Sequence, residues 1–103
     1  MSWLLLLAAG FFEIVWAAAM KLSEGFTRPL PVAVVVIGMA LSVGLLALAM
    51  RDLPLGTAYA VWTGIGAAGA FLFGIVFLGE PLTMTRIAAV SMITGGIILM
   101  KLS

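Results

Sequence analysis

Met1 to Met20 carries one charge, Glu13, the only ionisable side chain well inside any apolar stretch of this chain apart from Tyr59. A charge at mid-membrane costs about 2.5–3.5 kcal/mol even on lenient insertion scales, so such residues face a bundle interior or a water-filled cavity and mark ion or proton paths. No Lys, Arg or His lies inside an apolar stretch to pair with it. A permanent internal ion pair is therefore excluded, and the partner must be a proton or a cation from outside. The competing reading is a protonated structural glutamate hydrogen-bonded to neighbouring helices.

Helical spacing gathers further polar groups. Residues three and four apart are neighbours on a helix, so Gly10, Glu13, Trp16, Ala17 and Met20 form one stripe. Small Gly10 and Ala17 leave room beside the carboxylate, and Trp16 brings an indole N–H that only donates. Ser42 is the only polar side chain between Arg28 and Arg51, on a face with Gly38 and Leu45. Ser42, like Trp16, is read as a donor to the Glu13 carboxylate; the competing reading of a lone serine at such depth is a packing residue or a back-bonded hydroxyl. Tyr59, Trp62, Thr63 and Gly66 share a third face. Tyr and Trp near helix ends often belong to an interfacial belt, which suits Trp3 and Tyr59 better than the deeper Trp62.

These side chains need a membrane scaffold. Of 103 residues, 65% are hydrophobic and 9% charged, and mean hydropathy is +1.35. Soluble domains run nearer half apolar and a quarter charged, and a short chain has the most surface to cover. A soluble monomer is excluded. With no Cys and no His, the usual zinc, haem and disulfide chemistry is absent, and neither a metal nor another cofactor is expected. A net charge of +1 without a basic stripe gives no nucleic-acid footprint.

The charges bound four spans, expected at about 2–21, 31–50, 56–78 and 84–101 in a single transmembrane domain, 1–103. About 20 apolar residues cross a hydrocarbon core of about 30 Å. The last uncharged stretch, Ile87 to Met100, has only 14 residues. Its helix must begin near Thr83, with Arg86 and Lys101 snorkelling to the interfaces. The N-terminal stretch is not a signal peptide, because it lacks a basic n-region and carries Glu13.

Short connectors make consecutive helices antiparallel neighbours. The side holding the N-terminus, the second loop and the C-terminus has Arg51 and Lys101, and the other has Lys21, Arg28 and Arg86. Orientation follows the Lys/Arg imbalance, and two against three is almost none. Either the chain has one weakly biased topology, or copies insert both ways and pair antiparallel. In the third span Gly64 and Gly66 belong to a glycine cluster that permits close packing and bending. In the fourth, Ser91/Gly95 fit a small-xxx-small pattern and Ala89/Gly96 lie seven apart; these four are read as an oligomer contact.

The chain resembles the small multidrug resistance family over all four spans. Gly10-Phe11-Phe12-Glu13-Ile14-Val15-Trp16-Ala17, running to Lys21, is similar to the family's glutamate-bearing helix. Gly25-Phe26-Thr27 matches in the first loop, and the run from Pro54 to Gly66 matches its other signature. Trp16, Ser42 and Gly10 beside Phe11-Phe12 resemble the guanidinium-exporting subtype. The resemblance implies an all-α membrane protein acting as an antiparallel, dual-topology homodimer in the bacterial inner membrane. It further implies Glu13 from both subunits as the substrate and proton site, lined by Gly10, Trp16, Ser42, Tyr59 and Trp62. The expected activity is proton-coupled antiport of guanidinium rather than enzymatic catalysis. The alternatives are a broad quaternary-ammonium or multidrug exporter of the same family and, from another class, a pore-forming or structural small membrane protein.

Overall fold

The computed structural model describes residues 1–103 and consists of four α-helices: α1 (Ser2–Leu22), α2 (Pro29–Ala49), α3 (Leu55–Phe77) and α4 (Met84–Leu102). All four are long and apolar enough to cross a membrane. At 19 to 23 residues each they are about 29–35 Å long. The fourth helix reaches this length because Thr83 caps it, its hydroxyl accepting from the Arg86 backbone N–H at 3.2 Å. Arg86 thereby falls inside the first turn.

Local chemistry sets the other ends. Arg28 is extended and Pro29 opens α2, a position where the missing proline N–H costs nothing. The loop between α1 and α2 turns on three successive residues at positive φ: Glu24 (52°), Gly25 (75°) and Phe26 (67°). Only the glycine adopts that conformation freely. Ser23 holds the turn, donating to the Met20 carbonyl at 2.7 Å and accepting from the Phe26 N–H at 3.0 Å.

Laterally the helices lie in a row, α2–α1–α3–α4. α1 packs mainly on α2 and then on α3, the α4 backbone lies against α3, and α2 barely meets α3. The subunit is a slab of 40 × 34 × 16 Å, thin against helices of about 10 Å diameter. Only 15 residues are buried, none of them in α4. One copy is an open layer rather than a closed bundle.

The core is also lopsided along the membrane normal. Leu6, Ala9, Leu46, Ala49, Ala58 and Val61 form it, all towards the end that holds both chain termini. That end is tied further by a Ser2 hydroxyl donating to Asp52 at 2.9 Å and by the Lys101 ammonium 5.1 Å from the Trp3 ring centroid. Two grooves lie towards the opposite end, with the first and third loops. Glu13 lies just beyond this core, one helical turn after Ala9.

Candidate functional site

Glu13 is near the middle of α1, about 15 Å from either helix end at the usual rise, and its carboxyl is seated on Gly66, at the middle of α3. A methyl group on Gly66 would collide with Glu13 Oε1 and Cδ. The same device repeats along the α1–α3 seam: Ile65 fills the space over Gly10, and Ile14 fills the space over Gly69. Each bulky side chain faces a glycine across the seam, so the two backbones approach closely and the carboxylate is held between them. Glu13 Oε1 is buried with no hydrogen-bond partner within the subunit.

Trp16 projects to the other side of α1, towards α2. A Cβ on Gly38 would lie 3.1 Å from Trp16 Cβ and 3.5 Å from its backbone nitrogen, so Gly38 is what lets α2 approach the α1 backbone at Trp16. Trp16 Nε1 is likewise buried without an acceptor. An unmet acceptor and an unmet donor thus stand one helical turn apart. An unsatisfied buried polar group costs about 1–3 kcal/mol, and both would be relieved by a cation or proton at the carboxylate and an acceptor beside the indole.

Ser42 is fully buried and joins three helices. Its hydroxyl donates to the Ala9 carbonyl at 2.6 Å and accepts from Trp62 Nε1 at 2.9 Å. Donation from Ser42 to the Glu13 carboxylate is one arrangement that the sequence suggests. Here the hydroxyl's single proton goes instead to a backbone carbonyl one turn before Glu13, and Ser42 orients the Trp62 ring. Tyr59 lies against that ring, centroids 5.6 Å apart. The part of Ala9 escapes sequence reading because a carbonyl acceptor leaves no side-chain signature; its only trace is a small residue at i−4 from Glu13.

Among the remaining candidates, Gly64 lies under Ile93 and Ile97 of α4 and serves the α3–α4 contact, whereas Gly66 serves Glu13. Ala89, Ser91 and Gly96 are exposed and Gly95 is half-buried. A Cβ on Gly95 or Gly96 would meet open space, and the Ser91 hydroxyl bonds back to the Ile87 carbonyl at 2.7 Å. No part of the subunit's own packing requires these small residues. Nor does any groove of the subunit enclose Glu13: the largest, about 480 Å³ between α3 and α4, is lined by Tyr59, Gly64 and Gly96, and the others lie elsewhere.

Four membrane-crossing helices in an open layer, with one carboxylate at mid-depth, define a minimal multi-span membrane protein. The family model described as Small Multidrug Resistance protein matches residues 1–93, and the chain belongs to that family. It is 52% identical over 103 residues to the Guanidinium exporter of Escherichia coli (strain K12), covering all of this chain and 98% of that one. The proteins of the same name from Yersinia pseudotuberculosis serotype I (strain IP32953) and Citrobacter freundii are each 50% identical over 103 residues, with 99% and 98% of their lengths covered. These relatives carry the names of transporters, not enzymes. The chain is accordingly a multi-pass integral protein of the bacterial inner membrane.

Proposed function

We propose that this protein exports guanidinium in exchange for protons, as an antiparallel homodimer in which the two Glu13 carboxylates form one shared site. The observation that carries this reading is the Glu13 carboxyl at mid-depth, with one oxygen buried and unpartnered, on a subunit too thin to enclose it. A second copy in the opposite orientation supplies the missing wall and a second carboxylate. Full-length relatives named as guanidinium exporters at 50–52% identity support the same cargo.

Guanidinium fits such a site chemically. It is planar, always charged at physiological pH and weakly hydrated for its charge, so stripping its water costs less than for an ammonium. Its paired N–H groups meet carboxylates in bidentate fashion. The Trp62–Tyr59 pair offers an aromatic face held in place by Ser42. Protons and guanidinium compete for the same oxygens, so each departs as the other binds, and antiport needs no separate proton site.

Two oppositely inserted copies also build from one sequence the inverted symmetry that larger transporters obtain from internal repeats. When the two subunits hold different conformations, exchanging them turns inward-open into outward-open between states of equal energy. The test is guanidinium uptake into proteoliposomes with an acidic interior. Uptake driven by the gradient in the wild type and lost in Glu13→Gln is expected. Uptake indifferent to the gradient, or uptake of large planar cations but not guanidinium, would refute it.

A further inference from the structure

The α1–α3 seam continues past Glu13 towards the first and third loops and ends in a groove of about 150 Å³. Ala17 and Ala70 line it nearest Glu13, Lys21 and Glu80 line it farther out, and Phe73 and Leu78 complete its walls. Ala17 and Ala70 each lie four residues beyond the pair Glu13 and Gly66, one helical turn or about 6 Å away, with Ile14 packed over Gly69 between them. At about 30 Å³ of liquid per water molecule, the groove has room for a few waters or one small cation.

Glu80 is placed there by specific backbone geometry. α3 ends at Phe77, and Gly79 at φ 70° turns the chain back so that the Glu80 N–H donates to the Gly74 carbonyl at 3.0 Å. The side chain then lies on Gly74, where any Cβ would collide with its carboxyl. This is a poor position for a carboxylate as far as folding goes. The C-terminal end of a helix carries about −0.5 charge and favours cations, and α1 and α3 both end here. Two helix C-termini and a carboxylate therefore converge on one small groove, with the Lys21 ammonium as the only cationic side chain on its wall.

We infer that this groove is an outer cation site, in which Glu80 receives guanidinium before it reaches Glu13 and Lys21 acts as a tethered competitor. The inference rests on the guanidinium-exporter reading and extends it by a second residue that touches the cargo. In an antiparallel dimer the two grooves open on opposite faces, so each side of the membrane has one. A capture site at the mouth governs how readily cargo is gathered at low concentration, and a charge at such a rim acts mainly on association and its salt dependence.

The experiment is initial-rate guanidinium transport in proteoliposomes for wild type, Glu80→Gln, Glu80→Asp and Lys21→Gln, at low ionic strength and in 1 M salt. At low ionic strength Glu80→Gln should raise KM about three- to tenfold with Vmax held, Glu80→Asp should stay near wild type, and Lys21→Gln should lower KM. In 1 M salt, where the Debye length is about 3 Å, the Glu80→Gln difference should nearly vanish. A wild-type KM in Glu80→Gln at both salt levels overturns the inference while leaving the exporter reading intact. So does a lost Vmax at unchanged KM, or a KM rise that salt does not diminish. A wild-type protein that moves no guanidinium sinks both.

Discussion

At the scale of single residues the site is a balance between one unmet acceptor, Glu13 Oε1, and one unmet donor, Trp16 Nε1, beside a fully satisfied serine. Ser42 holds three helices through two hydrogen bonds, so Ser42→Ala strands the Trp62 N–H and takes the second partner from the Ala9 carbonyl. Interhelical hydrogen bonds in membranes average about 0.6 kcal/mol, and the two lost bonds should cost about 1–2 kcal/mol, read as a lower melting point in detergent. Because Trp62 also loses its anchor, guanidinium transport should fall while bulky hydrophobic cations are better tolerated, and Trp16→Gly should shift selectivity the same way by opening the space beside Gly38. Wild-type selectivity in both variants would reduce these residues to packing. A second residue-scale consequence concerns pH. Under the proposed competition of protons and guanidinium for the same Glu13 oxygens, lowering the pH removes binding-competent carboxylate and should raise the KM for guanidinium. The limit is about tenfold per pH unit for each competing proton, and rates measured across a pH series at fixed membrane potential should show it. A KM that stays flat into the acid range would separate the proton from Glu13.

At the scale of elements, glycine placement decides what each helix can do. Gly66→Ala puts a methyl into the Glu13 carboxyl, so it should abolish or cut transport at least about tenfold by displacing the carboxylate about 1 Å. Gly44→Ala, which meets open space, should leave transport unchanged and favour its helix by about 0.8–1 kcal/mol of propensity. Equal activity of the two variants in the same uptake assay would contradict the seating of Glu13 on Gly66. The elements themselves were legible in the sequence. Uncharged runs bounded by Arg28, Arg51, Asp52, Glu80 and Lys101 mark helices, because hydrocarbon forces every backbone group into internal hydrogen bonds. The sequence also singles out Glu13, since a lone carboxylate in such a run has no cheap structural use, and the structure adds that its Oε1 is buried without a partner. Which neighbour each glycine admits was not. Gly10, Glu13 and Trp16 read as one stripe, yet Gly10 and Glu13 turn to α3 while Trp16 turns to Gly38 of α2, since a helical stripe is wide enough to serve two partners. Ser42 likewise reads as a donor near Glu13, but the nearer acceptor is the Ala9 backbone, which side-chain patterns do not reveal.

At the scale of the whole molecule, a 16 Å slab whose fourth helix has no buried residue suits the proposed dimer, and the near-equal Lys/Arg count of its two faces permits the second copy to be inverted. Adding two Lys to the N-terminus should fix one orientation and silence transport, and coexpression with an oppositely biased variant should restore it. Full activity from a single fixed orientation would sink the antiparallel dimer. Charge balance then follows from the shared site. If the empty dimer carries two protons on its Glu13 pair and the loaded dimer one guanidinium, each cycle moves two positive charges in and one out. Membrane potential drives such exchange together with the pH gradient. The most direct measurement is the current evoked by guanidinium at symmetric pH, with reconstituted protein on a capacitive membrane. A transient current in the wild type, absent in Glu13→Gln, is the expected result; electrically silent exchange, insensitive to an imposed potential, would contradict a paired carboxylate site that trades two protons for one cation.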